Sequence, residues 1–173
     1  VFYQKIKPPK YKFDLFPQTQ DTIRADSKEI PLKNETLSSI MFDPPFTVGF
    51  TKQRTGLIVK RFGGFRYISN LWDYYSASLA EQYRVLKPNG ILIFKCQDTV
   101  SSGKQYLTHI QIINNAIALG FYPKDMFILV ANNRLIGLHH HNQQHARKFH
   151  SYFLVFIKQK CPVNYGFISE DTI

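Results

Sequence analysis

One short segment contains side chains whose types and order suit chemistry on an amine. Residues 37–42 form an apolar run with strand character, and Asp43, Pro44, Pro45 and Phe46 follow it directly. In open α/β sheets, ligands bind beyond the carboxyl ends of the strands. Asp43 can accept one hydrogen bond from an exocyclic NH2 group, the Pro44 carbonyl can accept the other, and Phe46 can stack on the ring. Because the two prolines also stiffen the backbone, this order predicts a site for a planar group that carries an amine.

The elements that must position this segment alternate between strand-like and helical patterns. Strand character marks five runs: 22–26, 37–42, 91–94, 126–130 and 152–157. Helical spacing marks two segments: 72–86, with Ser69 or Asn70 as N-cap, and 107–117, closed by Gly120. This alternation predicts an α/β fold with a largely parallel sheet, whose last two strands pair antiparallel because no helix separates them. The unbroken run at 91–94 is typical of a strand covered on both faces, and 87–90 predicts a turn before it.

The balance of charges points to a polyanionic partner. Lys and Arg number 22 against 12 Asp and Glu, so the 173-residue chain has a formal charge of +10 and a pI of about 9.6. We expect nucleic acid as the partner before a membrane surface, although a cationic surface that only aids solubility stays open. With 44% apolar and 20% charged residues, the composition excludes disordered, collagen-like and coiled-coil classes.

The cysteine count and the apolar runs limit the cellular setting. Cys96 and Cys161 form neither a disulfide framework nor a zinc pattern, which is typical of a reducing, cytoplasmic setting. Neither favours a nucleophilic cysteine, because Cys96 ends an apolar strand and Cys161 lies beyond the last one. No apolar run approaches the roughly 18 residues of a membrane span, and the first residues do not form a signal peptide, so no membrane association is expected.

The chain divides into an arm, one domain and a tail. Residues 1–20 are basic, aromatic and punctuated by proline, which predicts an extended arm. The domain occupies 21–160 and the tail 161–173. Within the domain, the glycine-rich stretch 47–70 is long enough to predict a substrate or lid loop. The sequence does not indicate an oligomeric state.

Two cationic segments are candidates for contact with nucleic acid. The 47–70 loop interleaves aromatic residues with five basic ones, which suits an unstacked nucleotide and its flanks: Lys52, Arg54, Lys60, Arg61 and Arg66. Arg147 and Lys148 precede the last strand and are candidates for clamping a phosphate backbone. An ordinary mobile surface loop is the alternative for 47–70.

The histidines of residues 139–150 do not form a convincing metal site. His139, His140 and His141 are consecutive, and His145 and His150 follow, but no cysteine or carboxylate within this stretch completes a ligand set. We therefore expect no metal and assign the stretch to a cationic loop near the substrate.

Asp-Pro-Pro-Phe at 43–46 resembles the catalytic motif of S-adenosylmethionine-dependent amino-methyltransferases, which modify adenine N6 or cytosine N4. Residues 81–95 resemble the helix, turn and strand that follow that motif, and 26–46 resemble its approach, so the resemblance covers about 21–158. It implies a Rossmann-like class I methyltransferase fold with an antiparallel C-terminal strand pair and S-adenosylmethionine as cofactor. It also implies that Asp43 to Phe46 hold the target amine, and that Asp26 and Asp43 face the cofactor, Asp26 at its adenine. Adenine N6 in DNA is the first expectation, cytosine N4 the second and an RNA base the third.

One feature departs from that family. Its cofactor loop is a glycine-rich turn after the first strand, where glycine allows close approach of the backbone, yet this chain has no glycine before Gly49. Three explanations stay open: the fold is incomplete at its N-terminus, another segment such as the arm holds the cofactor, or the cofactor is no longer bound. The last would make the chain a non-catalytic, methyltransferase-like subunit that binds nucleic acid.

Overall fold

The computed structural model describes residues 7–49, 63–131, 145–146 and 148–159 of the chain. These residues form ten elements, here numbered in chain order. The strands are β1 (Phe13–Asp14), β2 (Ile23–Arg24), β3 (Leu37–Phe42), β4 (Leu86–Cys96), β5 (Thr99–Ser101), β6 (Lys104–Tyr106), β7 (Tyr122–Val130) and β8 (His150–Ile157). The helices are α1 (Ile68–Val85), between β3 and β4, and α2 (Thr108–Leu119), between β6 and β7.

A mixed sheet of four strands, in the order β3–β4–β8–β7, forms the framework. Strands β3 and β4 run parallel, with Phe42 opposite Phe94. Strand β8 is antiparallel to both of its neighbours, β4 and β7. The predicted antiparallel pair is therefore confirmed, whereas the parallel part of the described sheet is limited to β3 and β4.

Both described helices pack on the same face of this sheet. Leu92 and Phe94 of β4 point to that face and are fully buried, in one core with Tyr75 of α1 and Ile112 of α2. Ile91 points to the other face and is 37% exposed. The prediction that the 91–94 run is covered on both faces is therefore wrong for the described residues, because α1 and α2 lie side by side rather than on opposite faces.

The predicted turn and helix ends differ in detail from the structure. Residues 87–90 bulge out of β4, with Asn89 in the left-handed region at φ 61°, before pairing with β3 resumes at Ile91. Helix α1 begins at Ile68, so neither Ser69 nor Asn70 is its N-cap. Asn70 acts instead from within the first turn, where its side chain accepts a hydrogen bond from the Tyr67 backbone N–H at 3.3 Å. Gly120 closes α2 at φ 100°, as predicted.

The sequence patterns missed two small features. Strand β1 pairs in parallel with β2, so part of the predicted arm has strand structure. Strands β5 and β6 form a hairpin in which Gly103 has φ 72°. Both features are too short for periodicity to reveal them. Among the described residues, no helix is both long and apolar enough to cross a membrane.

Candidate active site

The strand directions bring separate segments together at one edge of the sheet. Parallel β3 and β4 end at the same edge, and antiparallel β8 begins there. We call it the carboxyl edge. At this edge Asp43 follows β3, Gln97 and Asp98 follow β4, and Lys148 precedes β8. The predicted amine site and the two predicted cationic segments are therefore joined to one edge.

Asp43 presents its carboxylate at the carboxyl edge. Its side chain is 53% exposed, and Oδ2 lies 2.8 Å from Nζ of Lys95. Phe42 and Phe94 are partners in the parallel strand pair. Asp43 directly follows Phe42 and Lys95 directly follows Phe94, so the two charged residues have equivalent positions relative to this pair. Sequence patterns did not single out Lys95, although the position of a lysine inside an apolar strand was a usable signal.

Helix α1 fixes the prolines that follow Asp43. The Tyr75 hydroxyl donates a hydrogen bond of 3.1 Å to the Pro45 carbonyl oxygen. Tyr75 is a core residue, as predicted, and burial raises the pKa of its phenol well above the usual value, so the hydroxyl keeps its proton. Pro44 is buried and Phe46 is half-buried.

The base of the 47–70 loop is closed beside these prolines. Val48 and Phe65 form a parallel bridge, in which the Phe65 N–H donates to the Thr47 carbonyl at 2.8 Å. A Cβ built on Gly63 would lie 3.7 Å from Cγ of Pro45, so this end of the loop packs against the motif.

Two of the predicted cationic residues, Arg66 and Lys148, are among the described residues. Arg66 is exposed, and its guanidinium carbon lies 5.1 Å from the centre of the Tyr67 ring. Lys148 is half-buried. The remaining predicted contacts and the histidine run lie outside the described residues: Lys52, Arg54, Lys60, Arg61, Arg147 and residues 139–141.

A polar cluster that the sequence did not reveal lies at the same edge. Asp98 is 6% exposed. Its Oδ1 lies 2.7 Å from Nδ1 of His109, and its Oδ2 accepts a hydrogen bond of 3.3 Å from the Tyr152 hydroxyl. His150 Nε2 is 3.1 Å from that hydroxyl. Burial and the Asp98 charge raise the pKa of Tyr152. The cluster ties β4, α2 and β8 together where the strands leave the sheet.

Asp26 lies in a separate turn against α1. Its Oδ1 accepts a hydrogen bond of 3.0 Å from the Lys28 N–H, and Oδ2 lies 3.5 Å from Lys28 Nζ. Ser27 hydrogen-bonds to Tyr74 and Ser78 of α1 at 2.8 and 2.9 Å. A cleft of about 390 Å³ is lined both by this turn and by the loop base: Lys28, Phe65, Asn70, Asp73, Tyr74 and Ala77.

Cys96 is a core residue, as predicted. It is fully buried at the end of β4. Burial raises the pKa of its thiol, which disfavours the thiolate that a nucleophile requires. Cys161 lies outside the described residues.

Comparison with known proteins assigns the chain to a family. The model of the DNA methylase family, which comprises N6 and N4 methyltransferases, matches residues 37–170. The chain belongs to this family. No curated protein matches this sequence.

Solved structures show the same fold. A candidate DNA modification methylase of Thermus thermophilus is 17% identical, with a TM-score of 0.52 over 85% of this chain and 56% of that one. The structure of that protein in complex with S-adenosyl-L-methionine is 16% identical, with a TM-score of 0.52 over 84% of this chain and 57% of that one. The cytosine-N4-specific PvuII DNA methyltransferase is 16% identical, with a TM-score of 0.56 over 80% of this chain and 49% of that one. The predicted Rossmann-like methyltransferase fold is thus confirmed, and this chain spans about half the length of these proteins.

Proposed function

We propose that the chain contains the target-amine site of an enzyme that methylates an exocyclic amine of a DNA base. Adenine N6 is our first assignment and cytosine N4 the second. The observation that carries the proposal is the exposed carboxylate of Asp43, which lies at the end of β3 beside prolines anchored by α1. Membership of the DNA methylase family supports it.

The residues of the motif have complementary roles in this proposal. One oxygen of Asp43 accepts an N–H of the amine, and the Pro44 carbonyl accepts the other. Holding both N–H bonds turns the nitrogen lone pair away from conjugation with the ring. The nitrogen becomes cationic as it gains the methyl group, and the nearby carboxylate stabilises that charge. One N–H proton then leaves to solvent, which restores the neutral amine. Phe46 stacks on the base.

S-adenosylmethionine, when bound, supplies an electrophilic methyl group on a sulfonium. The polar groups available fit part of such a ligand. Asp43 supplies a carboxylate whose side chain is 53% exposed, and Asp26 one whose side chain is 35% exposed. The cleft beside the Asp26 turn has two aromatic rings and about 390 Å³ of volume. We assign Asp26 to the adenine end and Asp43 to the methyl end. The described residues contain no glycine-rich turn to complete the cradle.

The charge of the chain supports DNA as the molecule that contains the target base. The formal charge of +10 attracts a polyanion, and both cationic segments are joined to the carboxyl edge. Phosphate contacts from Arg66, Arg147 and Lys148 would hold the backbone while the target base enters the site. A base inside a duplex would have to be flipped out first.

The test is methyl transfer by the natural protein that contains this chain. We expect radiolabelled methyl groups from S-adenosylmethionine to appear in unmethylated DNA, and base analysis of the product to identify N6-methyladenine or N4-methylcytosine. Asp43→Ala should lower turnover by on the order of 100- to 1,000-fold while the protein stays folded. Asp125→Ala removes an exposed carboxylate from the edge strand β7 and is the matched control.

The outcomes separate the alternatives. Unchanged turnover in Asp43→Ala would overturn the assigned mechanism. Transfer to RNA but not to DNA would move the activity to an RNA base. A folded natural protein that binds DNA but neither binds the cofactor nor transfers methyl groups would be a non-catalytic subunit, in line with the absence of glycine before Gly49.

A further inference from the structure

We propose that Lys95 is a positioning residue that orients the Asp43 carboxylate for the target amine. The inference rests on the function proposed above. Its basis is the 2.8 Å contact between Lys95 Nζ and Asp43 Oδ2, which joins the ends of two adjacent strands.

The strand register explains why the contact is a fixed part of the framework. Phe42 and Phe94 are direct partners in the parallel pair, and their rings pack edge to face with centroids 5.0 Å apart. Asp43 and Lys95 are the next residues along the chain, Asp43 just beyond β3 and Lys95 within β4. Lys95 is itself paired with Phe153 of β8, so the neighbouring strand holds its backbone.

The burial of Lys95 argues against an incidental surface lysine. It lies between Phe94 and Cys96, both fully buried, and its own side chain is only 24% exposed. Covering an ammonium group is costly unless an opposite charge compensates it. Among the described residues, the Asp43 carboxylate forms the ion pair with this ammonium group. The ion pair with Asp43 therefore compensates the partial burial of the Lys95 side chain.

The contact leaves the other carboxylate oxygen available. Lys95 contacts Oδ2 and the Asp43 side chain remains 53% exposed, and we assign the amine to Oδ1. With Oδ2 held, rotation of the carboxylate about its terminal bond is restricted, and Oδ1 stays in one orientation. The ammonium charge itself opposes the positive charge that develops on the amine, so the benefit of Lys95 is geometric. A misplacement of about 1 Å in such a group costs roughly 100-fold in rate.

The test compares Lys95→Met with Lys95→Arg in the natural protein. Methionine keeps the apolar stem and removes the charge. We expect its kcat for methyl transfer to fall about 10- to 100-fold, with little change in KM for DNA or in thermal unfolding. Arginine can still donate to Oδ2, so Lys95→Arg should recover part of the lost kcat. Lys104→Met, at an exposed position in the β5–β6 hairpin, is the matched control and should leave kcat unchanged.

A double-mutant cycle tests whether Lys95 acts through Asp43. In an Asp43→Asn background, adding Lys95→Met should cost much less than it does in the wild type. An unchanged or increased kcat in Lys95→Met, from an active wild type, would overturn the Lys95 proposal alone. An equal loss in both backgrounds would also overturn it. If the wild-type protein transfers no methyl group to any nucleic acid, the proposed function falls and the Lys95 proposal falls with it.

Discussion

The hydroxyl of Tyr75, a residue of α1 that is buried in the core, donates its hydrogen bond to the carbonyl oxygen of Pro45 over 3.1 Å. A core side chain thus sets the backbone that follows Asp43. We expect Tyr75→Phe to reduce kcat for methyl transfer about 10-fold or more, because the Pro44–Pro45 backbone loses its anchor. Loss of one such hydrogen bond should lower the free energy of unfolding by about 1 kcal/mol. Steady-state kinetics and urea unfolding of the variant measure the two effects.

Tyr83→Phe is the control for this change. It removes a hydroxyl from the same helix, at a ring that packs edge to face on Phe121, 5.0 Å between centroids, far along α1 from the prolines. It should leave kcat at the wild-type value. If both variants lose activity equally, the effect belongs to helix α1 in general and not to the Pro45 contact.

Much of this site follows from sequence because its signals are local. An apolar strand that ends in Asp43 and two prolines identifies the motif, and the bounds of β3 agree with the predicted 37–42 run. The contacts that organise the motif are not local: Lys95 is 52 residues from Asp43, and Tyr75 is 30 residues from Pro45. Periodicity identified Tyr75 as a core residue but could not show where its hydroxyl points.

The burial of β4 was mispredicted for a related reason. An apolar run indicates that a strand is buried, but the side on which each helix packs depends on how the chain crosses between strands. In the described part, α1 and α2 share one face, so Leu92 is buried and its neighbour Ile91 is not. The Asp98 cluster was missed because its members come from the segment after β4, from α2 and from β8, and only the register brings Tyr152 opposite Cys96.

Arg66 offers a test of the proposed DNA contact at the carboxyl edge. It is exposed where the 47–70 loop joins α1, so we expect it to contact a phosphate. Arg66→Gln should weaken DNA binding at every sequence and reduce the slope of log K against log salt by about 1. Fluorescence anisotropy over a salt series measures both quantities.

Lys87 provides the matched control for Arg66. It is also exposed, but it lies in the bulge at the opposite end of β4 from the carboxyl edge. Lys87→Gln should therefore leave the salt slope unchanged. The double variant Arg147→Ala/Lys148→Ala should reduce the slope by about 2 if both side chains contact phosphates. An unaltered affinity and slope in the double variant would remove those residues from the interface.

Gly120 links the end of α2 to helix α1. It has φ 100°, and a Cβ placed there would lie 3.0 Å from the Tyr83 hydroxyl oxygen. Gly120→Ala therefore combines backbone strain with a close contact, and we expect it to lower the free energy of unfolding by about 1–3 kcal/mol. Gly103→Ala separates the two causes, because Gly103 has φ 72° but a Cβ added there would meet no atom within 4 Å. If the two variants unfold at the same urea concentration, the Tyr83 contact contributes nothing.

Glu81 and Arg84 predict a specific loss of stability in acid. Arg84 donates to Glu81 through Nε at 2.7 Å and through Nη2 at 2.5 Å, and it also donates to the carbonyls of Ile30 and Leu32. The Glu81 side chain is 12% exposed and that of Arg84 is 34% exposed. The hydrogen bonds from Arg84, together with that from the Ile30 N–H, hold the pKa of Glu81 below its ordinary value of 4.5.

The sign of the effect follows from proton linkage. Above pH 4.5 Glu81 is ionised in both the folded and the unfolded chain, so its full contribution to stability is present. As the pH falls below that value, the unfolded chain takes up the proton first, and this stability is lost down to the lower pKa of the folded state. Arg84→Met should therefore be less stable than the wild type at pH 7, and the difference should shrink as the pH falls through this window. Urea unfolding between pH 7 and pH 3 measures it, with Glu81→Gln as the control that cannot titrate. A stability difference between wild type and Arg84→Met that stays constant across the window would contradict the ion-pair account and leave the contacts of Arg84 to Ile30, Leu32 and Asn34.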